Sequence, residues 1–214
     1  MQKRHLLYLG LFLNVVPAHA ASKADAPQMV YVEFRFLSSK ITPGTFAATA
    51  RKAWRSGDHY LRIEEAPDPK QGIYGTTIIS EPNIWMWNRF GNTAKHIVDP
   101  GPTFEAHYPL FPGEHSKRLQ KLEIGREKEF FAANNARHLP DKNIDGVKCV
   151  AWSFTADDST ATLYLRKSND SPFQVAITNP REAYAVRYDK YESGLPLNPS
   201  LFVAPREAKI IEAK

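Results

Sequence analysis

Residues 78–104 read IISEPNIWMWNRFGNTAKHIVDPGPTF and predict two successive antiparallel turns around one short strand. Residues 81–83, Glu-Pro-Asn, and residues 91–92, Gly-Asn, are of the types that occupy tight turns. The run between them, Ile-Trp-Met-Trp, is rich in residues that favour strands. We therefore expect an antiparallel meander in the middle of the chain, with the other elements arranged around it.

The strand between those turns is apolar on both faces. Since side chains alternate along a strand, Ile84 and Met86 share one face, whereas Trp85 and Trp87 share the other. An antiparallel strand usually keeps one face in water, so each apolar face here needs a cover. A helix would cover one face. A second layer of sheet, or an apolar ligand held in a concave sheet, would cover the other, and the pattern alone leaves both alternatives open.

Alternating patterns predict strands on both sides of this meander. In residues 28–39 every second residue from Val30 to Phe36 is apolar, and in residues 46–55 Trp54 shares a face with Phe46, opposite Arg51 and Arg55. The other predicted strands are residues 59–65, 143–155, 161–167, 172–178, 182–192 and 209–212.

One substantial helix is predicted, over residues 114–136. Leu119, Leu122 and Phe130 recur at three- and four-residue spacing, as on the buried face of an amphipathic helix. Gly125 lies in its middle and costs about 1 kcal/mol relative to alanine, which predicts a break or bend there. The opposite face carries five basic residues and is expected to be solvated: Lys117, Arg118, Lys121, Arg126 and Lys128.

The first twenty residues are typical of an export signal. Lys3 and Arg4 precede an apolar run that ends at Ala18-His19-Ala20, an A-x-A cleavage pattern. That run is short for a membrane span, and no later segment has the roughly 18 consecutive apolar residues of a transmembrane helix. We expect a periplasmic protein cleaved near Ala20. The only cysteine, Cys149, does not follow the cleavage point, so no lipid anchor is expected there.

Composition narrows the class of protein. The net charge of +5 falls to +3 without residues 1–20, too little to predict a nucleic-acid partner. A single cysteine cannot form an intramolecular disulfide, so stability must come from the core. Residues 21–214 are of a length that suits one domain.

The order of these elements resembles the LolA/LolB-type outer-membrane lipoprotein-carrier superfamily. The resemblance covers most of residues 28–212 and lies in the IWMWN hairpin, the helix, and a second meander entered at residues 146–149, GVKC. The tail adds residues 198–202, NPSLF, followed by Pro205 and residues 209–211, KII. It implies an α+β fold in which a curved, mostly antiparallel sheet forms a half-open barrel. The helix over residues 114–136 would pack on or plug the concave face, and that face would accept acyl chains.

One feature departs from the pattern of that superfamily. Its carriers generally begin with an amphipathic helix before the first strand, whereas here only residues 21–27 precede it. Without such a helix the mouth of the half-barrel would be more open, or the loop 103–111 and the helix over residues 114–136 would be its only lid.

Large apolar side chains around the central hairpin are the candidate ligand contacts. Each large ring buries about 150–250 Å². At roughly 25 cal/mol/Å², Trp85 and Trp87 together represent at most about 8–12 kcal/mol of hydrophobic free energy. The predicted ligand-binding residues are Trp54, Trp85, Trp87, Ile84, Met86, Phe104, Tyr108, Leu110, Phe111 and Phe130.

The sequence has no catalytic signature. The histidines show no metal-ligand spacing, Cys149 has the setting of a buried inert thiol, and neither nucleophile nor phosphate-loop motifs occur. We therefore predict no enzyme activity, metal or cofactor. The first hypothesis is a periplasmic binding protein for an acyl chain, lipid or lipoprotein. The alternative is an envelope protein-interaction or stress-regulatory module with a filled core.

Overall fold

The structure, a computed structural model, describes residues 27–213; the predicted signal peptide lies outside this range. The described chain has twelve strands: β1 (Gln28–Ser38), β2 (Arg51–Ser56), β3 (Tyr60–Glu64), β4 (Gly75–Ser80), β5 (Asn83–Asn88), β6 (Thr93–Val98), β7 (Arg137–Ile144), β8 (Val147–Ala156), β9 (Ser159–Arg166), β10 (Pro172–Thr178), β11 (Ala183–Pro196) and β12 (Lys209–Glu212). Its α-helix is α1 (Glu127–Ala133), and 3₁₀ turns occur at Phe46–Ala48, Leu119–Lys121 and Pro199–Phe202.

All the strands belong to one curved sheet that is not closed into a barrel. Its order is β12-β6-β5-β4-β3-β2-β1-β11-β10-β9-β8-β7, and every neighbouring pair is antiparallel except β12 and β6. The pairing of β1 with β11 joins two meanders, one on each side. The predicted curved, mostly antiparallel sheet is confirmed.

The central hairpins form where residues 78–104 predict them. β4 and β5 pair so that Ile79 lies opposite Ile84, and β5 and β6 pair so that Trp85 lies opposite His96. Asn92 closes the second turn in the left-handed conformation, at φ 46°, which asparagine tolerates.

The main core lies on one face of the sheet, which we call the inner face. Val32 and Phe34 of β1, Leu163 of β9 and Val186 of β11 belong to this core. It is covered by residues 104–133, which we call the plug. The plug contributes Ala106, Leu110, Phe111, Leu119, Leu122, Ile124, Phe130 and Phe131 to the same core.

Most of the plug is irregular, so the predicted helix over residues 114–136 is too long. Leu110 N–H donates to the Leu122 carbonyl at 2.7 Å, and residues 109 and 123 form a bridge. In the first half of the predicted helix, this strand-like pairing takes the place of helical hydrogen bonds. Gly125 then adopts φ 79°, and the helix begins two residues later. The break predicted at Gly125 is therefore present.

β2 also differs from its prediction. The extended run begins at Arg51 rather than Phe46, and Ala53 lies opposite Val32 of β1 on the inner face. Arg51 and Arg55 consequently point inward and Trp54 outward. Side chains alternate between the two faces of a strand, so a prediction that places the wrong alternate residues in the interior is wrong for every side chain of that strand.

Arg55 fastens the plug to the sheet. Its guanidinium lies 2.8 Å from Glu123 Oε2 and donates to the carbonyls of Ala106 at 2.9 Å and Ile124 at 3.4 Å. The side chains of Arg55 and Glu123 are only 4% and 6% exposed. One inward arginine thus forms an ion pair with Glu123 and hydrogen bonds to two carbonyls, on two separate parts of the plug.

Arg55→Met should lower the free energy of unfolding by about 3–5 kcal/mol, because it removes the guanidinium from the buried Glu123 carboxylate and leaves the exposed His107 ring as its side-chain partner. Urea denaturation measures the loss. The double variant Arg55→Met/Glu123→Gln should lose less, since the uncompensated charge is gone. Equal losses in the two variants would show that the ion pair does not hold the plug.

Candidate apolar ligand site

An apolar cavity of about 340 Å³ lies between α1 and the inner face of β8 and β9. Trp152 and Leu163 lie opposite each other on these strands and so point to the same face. The helix supplies Phe131 and Ala132. The complete lining is Lys128, Phe131, Ala132, Asn135, Ala136, Trp152, Leu163, Leu165 and Asp170.

The polar residues of the cavity are charged or amide side chains. Lys128 forms an ion pair with the Asp170 carboxylate, and its Nζ lies 3.3 Å from the Asp170 carbonyl. Both side chains are exposed, and Asp170 occupies the β9–β10 turn at φ 55°. An apolar cavity with a few polar groups suits a ligand with an apolar body and a polar end.

Glu127, the first residue of α1, holds the helix against β11. Its carboxylate accepts hydrogen bonds from the hydroxyls of Tyr188 and Tyr191 and, at 2.8 Å, from the Gly125 N–H. Burial raises the pKa of Glu127, although these hydrogen bonds oppose the shift. Burial likewise raises the pKa of Tyr188, and the neighbouring Glu127 carboxylate adds to this effect.

Glu114 anchors an earlier part of the plug. It accepts hydrogen bonds from the Ser116 N–H at 2.9 Å, the Ser159 hydroxyl at 3.1 Å and the Tyr184 hydroxyl. Burial opposes ionisation of Glu114, but the hydrogen bonds outweigh it and its pKa is lowered. Two carboxylates of one segment thus have pKa values displaced in opposite directions.

Three of the predicted ligand residues lie on the outer face, away from the cavity. Trp54 packs on Tyr31, with ring centroids 5.0 Å apart, and Trp85 stacks on His96 at 5.3 Å. Trp87 is buried beneath Arg89, in a groove shared with the segment that follows the 3₁₀ turn Pro199–Phe202. The structure therefore separates these indoles from the inner-face cavity.

The other predicted residues lie on the inner face or in the plug. Ile84 and Tyr108 pack against the core, and Met86 is 52% exposed. Phe104 is 43% exposed. The remaining three are core residues of the plug: Leu110, Phe111 and Phe130.

None of the ten predicted residues lines the cavity, and their role as ligand contacts stays a prediction. The cavity instead contains the fourth tryptophan, Trp152. Its alternation with Val150 and Phe154 predicts a strand but gives no sign of a cavity beside it. That information arises only when α1 is placed on β8 and β9.

Three further observations concern residues 27–213. No three His, Cys, Asp or Glu side chains in this range are grouped as a metal site requires. Cys149 is buried, and burial raises the pKa of its thiol. None of the helices in the same range has the length and apolar character needed to cross a bilayer.

No family model matches the sequence, and no curated protein is significantly similar to it. Among solved structures, the chain is similar to an uncharacterized conserved protein from Thermus thermophilus, with 9% identity and a TM-score of 0.49 over 88% of this chain and 91% of that one. It is similar to a chain of the MucA/MucB complex from Pseudomonas aeruginosa, with 12% identity and a TM-score of 0.47 over 88% of this chain. It spans only 59% of that chain.

A LolA superfamily protein from Nitrosomonas europaea is also similar, with 11% identity and a TM-score of 0.35 over 84% of this chain and 90% of that one. A member of the superfamily that the sequence resembles is thus present among these structures. These likenesses concern the fold.

The two buried glutamates should give opposite pH dependences. The pKa of Glu127 is raised above its ordinary value of 4.5, so the unfolded chain releases this proton first as the pH rises. The stability of the wild type should then fall relative to that of Glu127→Gln as the pH rises from about 4.5 toward neutrality. The pKa of Glu114 is lowered, so the wild type should lose stability relative to Glu114→Gln as the pH falls below 4.5. Urea denaturation across this pH range measures both differences, and equal signs would contradict the assignment.

Proposed function

We propose that the protein is a non-catalytic periplasmic binding protein that holds an acyl chain, of a lipid or a lipoprotein, between α1 and β8–β9. The observation that carries the proposal is the apolar cavity at this place. Its volume of about 340 Å³ lies at the lower end of the range for ligand pockets, about 300–1,000 Å³.

The residues that line the cavity favour an acyl chain as the ligand rather than a polar molecule. Phe131, Trp152, Leu163 and Leu165 present carbon and ring surface. Each methylene group removed from water is worth about 0.8 kcal/mol. Lys128 offers the polar end of such a ligand a cation, in place of the Asp170 carboxylate.

The titratable groups of the plug support binding rather than catalysis. Glu114, Glu123 and Glu127 are buried, and each is engaged with partners from the sheet. A general acid or base must instead reach a substrate. These carboxylates position the plug over the inner face, which is a structural task.

The compartment and the domain assignment belong to the same proposal. Residues 1–20 have the sequence pattern of an export signal, and residues 21–214 would form one domain after cleavage. The single sheet formed by residues 27–213 supports this division. An apolar cargo that crosses the periplasm needs a carrier, because water excludes it.

A second candidate is a protein-interaction module. It is favoured by the plug, which fills the inner face over the central strands with Leu110, Leu119 and Leu122. In this case the exposed Phe104, in the loop before the plug's first buried residue, would contact a lipoprotein or another envelope protein.

Ala132→Phe should fill the cavity and weaken binding of a fluorescent fatty-acid probe at least about tenfold, because the added ring occupies the volume that the probe needs. Ala132 is exposed at the cavity wall, so the fold should tolerate the change. Fluorescence titration of the mature chain measures the affinity, and the part of the tryptophan emission that the substitution Trp152→Phe removes provides a second signal.

The matched control is Ala133→Phe, at the next position of α1 and outside the cavity lining. It should bind the probe as the wild type does. Probe binding that is equal in the wild type and Ala132→Phe would exclude this cavity as the site.

A photo-crosslinking amino acid in place of Phe104 tests the second candidate in intact cells. Capture of one defined envelope protein at Phe104, and none from the equally exposed outer-face position Val203, is the result expected for an interaction module. Lipid adducts or no adducts at Phe104, together with the loss of probe binding in Ala132→Phe, would contradict it.

A further inference from the structure

A second groove, different in character from the apolar cavity, lies beside α1. Its volume is also about 340 Å³, and its walls carry three cationic side chains and one carboxylate. Its lining is Arg118, Lys121, Arg126, Glu129, Phe130, Ala133 and Asn134. The helix therefore has an apolar cavity at one set of positions and a cationic groove at another.

The positive charge of this groove is only partly neutralised. Arg118 donates to Asn134 Oδ1 at 3.1 Å and lies 4.7 Å from the centre of the Phe154 ring, so its contacts are with uncharged groups. Lys121 and the nearby Lys117 are exposed and form no ion pair with a carboxylate of residues 27–213. Three adjacent basic residues of the plug are thus unneutralised within the described chain.

Arg126, at the inner end of the groove, does have acidic partners, Asp58 and Glu129. Even so, burial and the nearby positive charge of Arg55 lower the pKa of Arg126. Arg55 and Arg126 are paired with the carboxylates of Glu123, Asp58 and Glu129, so an anion at this surface would be attracted mainly by the cations without an acidic partner, Lys117, Arg118 and Lys121.

We propose that the cationic groove, together with Lys117, binds the phosphate groups of an anionic lipid bilayer and so docks the plug face on a membrane surface. Phosphate oxygens accept charge-assisted hydrogen bonds from guanidinium and ammonium groups. The side chain of the exposed Ala133 is small, so the groove can approach the headgroup layer closely. Because Lys128 belongs to the same short helix, docking would also bring the apolar cavity near the bilayer. The inference goes beyond ligand binding and does not require the cavity to be occupied.

Co-sedimentation of the mature chain with vesicles tests the proposal. The wild type should bind vesicles that contain phosphatidylglycerol at low salt, bind pure phosphatidylcholine vesicles far more weakly, and lose binding as salt is added. In Lys117→Glu/Lys121→Glu the partition coefficient should fall at least about 25-fold, because each lysine at an anionic surface is worth about fivefold.

The control is Lys70→Glu/Lys209→Glu, which makes the same change of net charge in the β3–β4 connection and in β12. It should retain most of the vesicle binding. An equal loss in both double variants, or equal binding of the wild type to both kinds of vesicle, would overturn the proposal. Direct binding of inorganic phosphate at low ionic strength, measured by calorimetry, without any vesicle binding, would instead show a site for a free anion and would also overturn the proposal.

Two readouts separate this inference from the proposed function. Lys117→Glu/Lys121→Glu should still bind the fluorescent fatty-acid probe in solution, whereas Ala132→Phe should still sediment with anionic vesicles. Loss of probe binding in Ala132→Phe alone would assign the ligand to the cavity. Loss of vesicle binding in Lys117→Glu/Lys121→Glu alone would assign the membrane contact to the cationic groove. Thermal unfolding monitored by circular dichroism confirms that each variant is folded.

Discussion

The structure depends on how an irregular segment can lie against an apolar sheet. A helix satisfies its own backbone groups, but most of the plug is not helical, so its polar groups need partners from elsewhere. Arg55 of β2 provides them through the Glu123 carboxylate and two plug carbonyls. Tyrosines of β11 do the same for Glu114 and Glu127. The inner face is therefore an apolar surface with a few polar anchors, and the anchors determine where the plug lies.

This arrangement links the fold to the cavity. The anchors of Glu127 fix the start of α1 at β11, and Phe130 packs on Phe154 of β8 at a centroid distance of 5.6 Å. The seven-residue helix is then too short to cover β8 and β9 completely. Trp152 and Leu165 thus keep open space beside them. The polar interactions of Glu127 thus hold the start of α1 at β11, and the apolar surface of β8 and β9 beyond the helix stays uncovered.

Much of the sheet follows from the sequence, because strands have a period of two and turns have characteristic residues. Residues 28–39 and the central hairpin are examples. The plug does not follow, since the spacing of Leu119 and Leu122 suits a helix although these residues pack on the sheet from an irregular backbone. The site is harder still. Whether Trp54 points inward depends on the register of β2, and whether Trp152 borders a cavity depends on contacts between segments distant in sequence.

Gly125 lies between the two anchored stretches, where the plug passes over β1. A Cβ at this residue would lie 3.6 Å from the Arg55 Cβ and 3.7 Å from the Val30 Cβ, and its φ of 79° is one that other residues rarely adopt. An L-residue at position 125 would therefore strain the backbone even though its Cβ would find ordinary van der Waals room. The close passage of the chain over Arg55 and Val30, immediately before α1 begins, thus restricts this position to glycine.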